Sequence, residues 1–245
     1  MLLAKLWDKI SGGIRREIPA NTGFLSPREQ EMARYLFGGQ PRLVFFGGYE
    51  DAERRMLCYV PEYLEQDSLL SEDSPVVCLR ASFFDGDSPS HRDFLGALMG
   101  CGIGRETVGD ICVDSGSCDF FVTDGIAPYL IQNLLNVGRS RVRLSQVPLS
   151  DARIPQPQVQ VIHDTVSSLR LDALVSSGFR IGRSLAVRHI QAGKAAINGL
   201  PCEKPDRAVA EKDKIAVRGL GKIALVEVGG QTKKGRISVE IHRYI

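Results

Sequence analysis

The side chains best spaced to act on a polyanion lie close together near residue 185. Ser184, Arg188 and Gln191 recur at i, i+4 and i+7, so on a helix they share one face, while Leu185, Ala186 and Ile190 form the inward one. Arg183 falls in the first turn, beside backbone N–H groups that have no intrahelical acceptor, and an arginine with a hydroxyl at a helix start is a seat for phosphate. Residues 193–199 (GKAAING) then alternate like a strand and close on Asn198-Gly199, a tight-turn signal. Residues 229–236 (GGQTKKGR) form a flexible cationic loop between two strands. The chemistry on offer is phosphate neutralisation and hydrogen bonding. Arg183 and Arg188 are expected to position a nucleic-acid backbone, with Ser184, Lys194 and Asn198 adding hydrogen bonds. Arg170, Arg180, Lys233, Lys234 and Arg236 are expected as peripheral phosphate contacts. Asp172, close to Arg170, is expected to orient an arginine.

The charge distribution agrees. The chain of 245 residues carries a net +2, but from Ser168 onward there are 15 Lys and Arg against 7 Asp and Glu, a net +8, and the remainder has 16 against 22, a net −6. A basic C-terminal third on an acidic body fits a polyanionic partner for one end only. RNA is favoured over DNA, because nothing resembles a major-groove recognition helix with its partner and dimer element.

No bond-making chemistry competes convincingly. His91-Arg92-Asp93 has Leu98 where a kinase catalytic loop needs its asparagine, and Asp93 reads better as a helix-start carboxylate capped with Ser90. Gly100, Gly102 and Gly104 follow a helix, where a dinucleotide fingerprint follows a strand. The four histidines form no i, i+4 ligand pair, and the six cysteines contain no C-x-x-C, so they read as buried thiols. No metal, cofactor or catalytic residue is expected. No apolar run approaches the roughly 18 residues of a membrane span, and the N-terminus lacks signal-peptide features, so a cytoplasmic protein without a membrane partner is expected.

The elements that must position these groups fall into an α+β chain of three parts. Residues 1–74 read as a small α/β domain, with Leu2, Leu3, Leu6, Trp7 and Ile10 on one helical face. Ser26-Pro27-Arg28-Glu29 starts a second helix, and strands follow at 42–46 and 56–60. An acidic, turn-rich stretch with Glu65, Asp67, Glu72 and Asp73 marks the first boundary. Residues 75–166 give strand, helix, hairpin, helix and strand in the β-α-β-β-α-β order of a ferredoxin-like, RRM-like domain. Phe120 and Phe121 lack the basic-glycine-aromatic context of a base-stacking sheet and read as core. A proline-punctuated connection at 148–157 precedes Val159, Val161 and Val166, an expected edge strand of this middle domain. Residues 167–245 form the basic module, with Ser167 and Ser168 as helix caps and Gly178 as the helix end.

Segments LRLDALVSSGF, GRSLAVRHIQAGKAAINGLP and EKDKIAVRG resemble the S4-like RNA-binding domain over about 50 residues. That family has a serine where Gly182 stands and a glycine where Lys212 precedes Asp213; the arginine and second serine are present. Further segments, TGFLSPREQEMARYLF, FFGGYEDAERRMLCYVPEY, HRDFLGALMGCGIGRETVGDI and QTKKGRISV, are similar to the YlmH family over nearly the full length. The resemblance implies a cytoplasmic, ribosome-associated bacterial protein without its own catalysis. Its implied partners are large-subunit ribosomal RNA, tRNA and other quality-control factors, in the rescue of stalled nascent chains, with a link to cell division. The alternatives are an RNA-modifying enzyme, since S4-like modules accompany pseudouridine synthases and methyltransferases, and a structural cell-division factor.

Overall fold

The computed structural model describes residues 2–71, 74–156 and 158–245, without the side chains of Leu2, Leu3, Lys5, Gln66 and Asp67. The parts assigned above to Leu2, Leu3, Asp67, Glu72 and Asp73 therefore lie outside the described residues. The chain is mixed α+β and forms two compact units, Met1–Pro155 and Gln156–Ile245.

The first unit opens with α1 (Leu2–Arg16), β1 (Ala20–Asn21), α2 (Pro27–Phe37), β2 (Leu43–Phe46) and β3 (Met56–Tyr59). Leu6 and Ile10 bury, and the half-exposed Trp7 ring stacks on Phe37 at 5.4 Å. α2 starts where its sequence requires: Ser26 Oγ accepts from the Glu29 N–H, the Glu29 carboxylate accepts from the Ser26 N–H, and Pro27 occupies the first helical position. The three short strands pair antiparallel in the order β1-β3-β2.

Next come β4 (Val76–Ser82), α3 (His91–Gly100), β5 (Val108–Asp114), β6 (Ser117–Thr123), α4 (Ala127–Asn133), β7 (Asn136–Val137), β8 (Ser140–Arg141) and β9 (Arg143–Val147). The four longer strands form an antiparallel sheet in the order β5-β6-β4-β9. α4 ends at Asn133, and the chain turns into the β7–β8 hairpin on Gly138 at φ +58°. Leu134, Val137 and Val142, before, in and after this hairpin, all bury in one core. Because strand side chains alternate, Phe120 packs with Phe94, Leu98 and Leu130 on the helical face of the sheet, and Phe121 points the other way. There it joins Val76, Cys78 and Cys112 against Phe24, Met56 and Cys58. Residues on both sides of position 74 thus share one core, and the boundary expected there does not separate two compact units.

The second unit contains β10 (Val159–Val166), α5 (Leu171–Phe179), α6 (Arg183–Gln191), β11 (Ala195–Ile197), β12 (Leu200–Pro201), β13 (Lys214–Val217), β14 (Gly221–Gln231) and β15 (Ile237–Tyr244). Its antiparallel sheet runs β10-β15-β14-β13-β11-β12. The strand expected at the edge of the middle domain belongs here: β10 pairs with β15 over all eight of its residues and buries Ile162 and Val166 beside Leu171 and Ile241. The break in the chain coincides with the proline-rich connection, one strand earlier than Ser167.

Two local expectations also change. Ser167 and Ser168 do not cap α5; Arg170 is its N-cap, and the first free N–H groups, of Leu171 and Asp172, donate to the carbonyls of Arg207 and Pro205. Gly178 lies inside α5, where a Cβ would come within 2.6 Å of Ile223 Cδ1, and the left-handed residue that ends the helix is Arg180 at φ 52°. Glycine is there for close packing of helix on sheet.

Candidate nucleic-acid interface

Asp172 organises the start of both helices. It is only 3% exposed, and its carboxylate accepts from Arg170 Nε at 3.2 Å and from Arg183 Nε at 3.0 Å. Burial alone would push its carboxyl up; the hydrogen bonds from Arg183 and Arg170 more than offset that and hold it below the usual carboxylate range. The arginine side chains remain 42% and 50% exposed, so each guanidinium is fixed along one edge and keeps other donors for an external anion. Asp172 thus orients arginines, as its position in the sequence implied, and it holds two of them.

α6 begins on Gly182, which supplies no side-chain cap, and the N–H groups of Arg183 and Ser184 have no acceptor among the described residues. Ser184 and Arg188 are exposed, as is Gln191; Ala186 and Ile190 are fully buried. Leu185, expected inward, is 36% exposed, because it sits at the margin of the buried stripe. Lys194 is exposed just beyond the helix, and the Arg218 N–H donates to its carbonyl at 2.9 Å.

Asn198 has a different occupation. Its Nδ2 donates to Asp213 Oδ1 at 2.7 Å and its Oδ1 accepts from the Lys214 N–H at 2.9 Å, while its own backbone is left-handed at φ 49°. The amide is spent on the turn. Asp213 also accepts from the Ala210 N–H, and Lys212 before it sits at φ +71°, which explains why a glycine suits that place in the S4-like pattern.

Arg180 and Arg236 line one shallow cavity of about 250 Å³ with Asp164, Ser176 and Ser177. Arg236 Nε donates to Thr165 Oγ1 at 2.9 Å and its terminal nitrogen to the Thr165 carbonyl, which pins the root of the β14–β15 hairpin to β10. Lys233 and Lys234 stand exposed at the hairpin tip, with no partner among the described residues.

Nine of the ten predicted residues therefore form separate groups, Arg170 and Arg183 on Asp172, Arg180 with Arg236, Ser184 and Arg188 of the α6 face with Lys194, and Lys233 and Lys234 at the hairpin tip, while Asn198 is tied to its own turn. Sequence reasoning missed Lys204 and Arg207. Both are exposed in the loop that caps α5, and only the bonds from Leu171 and Asp172 to the carbonyls of Arg207 and Pro205 bring them to this site. Arg218, beside Lys194, was also missed; it follows a strand with no periodic signal of its own.

Elsewhere, Asp93 is a capping residue: its Oδ2 accepts from the Ser90 N–H at 2.8 Å and the Ser90 hydroxyl at 2.7 Å. No helix among the described residues is long and apolar enough to cross a membrane.

A family model described as "Putative RNA-binding domain in YlmH" matches residues 87–151. The chain is 35% identical over 224 residues, 91% of its own length and 86% of the relative's, to the ribosome-associated protein quality control protein P2 of Bacillus subtilis (strain 168). Among solved structures, the cell division protein ylmH from Streptococcus pneumoniae shares the fold with a TM-score of 0.50 at 20% identity, over 62% of this chain and 92% of that one.

Proposed function

Since the chain belongs to the YlmH family, we propose that it is a non-catalytic RNA-binding protein that engages the large ribosomal subunit, through ribosomal RNA and tRNA, in quality control of stalled nascent chains. In this reading residues 75–155 are a ferredoxin-like domain and the second unit is an S4-like module that supplies the anchor in the cytoplasm. The observation that carries it is the pair of half-exposed arginines held on buried Asp172 beside the uncapped start of α6. A fixed pair of guanidiniums next to free backbone N–H groups matches phosphates whose spacing is itself fixed, as on folded RNA. Arg188, Ser184 and Lys194 extend the contact along α6; Arg180, Arg236, Lys233 and Lys234 reach peripheral phosphates. Asn198 contributes by shaping its turn.

Salt dependence tests the proposal. With about five phosphates engaged by the second unit, that unit contributes a slope of roughly −3.5 to −4.5 to the fall of log affinity for large-subunit ribosomal RNA against log salt. A flat response would remove the phosphate anchor and favour a structural role.

A further inference from the structure

The matched RNA-binding region, residues 87–151, contains none of the ten residues predicted from the sequence, and the apolar parts of both faces of its sheet are covered. α3 and α4 pack on one face. On the other, Phe121, the aromatic that would offer a stacking surface, is fully buried under Tyr49, with ring centroids 5.1 Å apart. Base stacking on the centre of this sheet is therefore closed off.

An edge of the same domain remains open. From Arg139 the chain alternates strictly: Arg139, Arg141, Arg143 and Ser145 are exposed, and Ser140, Val142 and Leu144 are buried at 7%, 6% and 8%. Gly138 at φ +58° sets the turn before this run, and β9 is the last strand of its sheet, paired only with β4. Arg139 lies in the β7–β8 turn, Arg141 ends β8 and Arg143 opens β9, and burial of Ser140, Val142 and Leu144 leaves all three arginines exposed. None of the three side chains has a hydrogen-bonding or ionic partner among the described residues.

We propose that Arg139, Arg141 and Arg143 form a second RNA contact, a comb of guanidiniums that runs from the β7–β8 hairpin into β9 and meets backbone phosphates. Three like charges in line, on a chain that is net −6 outside its basic C-terminal third, repel one another and are stabilised by a regular polyanion. Guanidiniums bind phosphate with directional donors. The contact reads backbone without base identity, and it supplements the anchor in the second unit. The inference rests on the RNA-binding reading above.

The test uses the full chain, protein-free large-subunit ribosomal RNA and a salt titration. Replacing all three (Arg139→Gln, Arg141→Gln, Arg143→Gln) is expected to make the salt slope shallower by about 2.1 to 2.7, and the corresponding triple lysine variant to keep it. Arg141→Gln alone, expected to change the slope by about 0.7 to 0.9, decides the matter should the triple variant fail to fold. An unchanged slope in folded glutamine variants overturns the comb while leaving the anchor standing. Aggregation of the glutamine variants with an unchanged monomer slope does the same and assigns the arginines to guarding the edge against strand pairing. Weaker binding to ribosomal particles with unaltered binding to free RNA also overturns it, in favour of an acidic protein partner. Absence of RNA binding by the unsubstituted chain would instead defeat the RNA-binding reading itself.

Discussion

Replacing Asp172 with asparagine keeps the side-chain shape and removes the charge that holds Arg170 and Arg183. Two charge-assisted hydrogen bonds are worth about 1.5–3 kcal/mol each where buried. Here the carboxylate side chain is 4% exposed but its partners are 42% and 50% exposed, so solvent screening reduces the pair to roughly half. Asparagine retains one acceptor and turns a donor towards the other arginine, which leaves an expected loss of about 2 kcal/mol. In native-state hydrogen exchange of the whole chain, amides of α5 and α6 that open with the second unit should exchange about 30-fold faster, at 1.4 kcal/mol per factor of ten. Since the folded carboxyl sits below its ordinary value, its contribution is complete above about pH 4 and fades as pH falls through that lower value. The variant and the parent should therefore converge in acid. Equal exchange at pH 7, or a difference that persists undiminished at low pH, would refute the role given to this carboxylate.

Two further outcomes follow from packing and burial. Gly178→Ala should destabilise the second unit by about 1 kcal/mol in urea unfolding: overpacking against Ile223 and Ile241 costs roughly 1–3 kcal/mol, and better helix propensity returns about 1. A neutral or stabilised variant would mean that the helix and sheet separate more easily than their contact implies. Of the six thiols, Cys101 and Cys202 are partly exposed and should react first with a water-soluble thiol reagent. Burial pushes Cys58, Cys78 and Cys112 up to about 12 and raises Cys118 as well, so these four should react only after denaturation. Rapid native labelling of more than two would contradict the core assigned to the first unit.

What the sequence made legible was local. The Ser26 and Ser90 capping boxes, the two buried residues of α6, the hairpin lysines and the orienting role of Asp172 all follow from spacing within a few residues. What escaped depends on partners far along the chain. β10 carries an ordinary strand signal, and only its pairing with β15, some 75 residues later, assigns it to the second unit. Gly178 announces a helix end by residue type, whereas Ile223 and Ile241 require a small residue inside the helix. Lys204 and Arg207 sit in an aperiodic loop and join the site through backbone hydrogen bonds that no pattern encodes. The β7–β8 turn that leads into Arg141 and Arg143 lies between stretches that the sequence reads only as a helix and a strand.

Arg183 also holds Asp172, so reversing its charge would set two carboxylates together and unfold as well as unbind. Arg188 and Lys194 carry no such duty and are exposed. The central claim is therefore tested most directly by co-sedimentation of the Arg188→Glu, Lys194→Glu double variant with large ribosomal subunits, at moderate salt and with folding checked by circular dichroism. A folded double variant that stays in the supernatant while the parent protein pellets is the predicted result; a folded variant that pellets as fully as its parent would contradict the RNA anchor on α6.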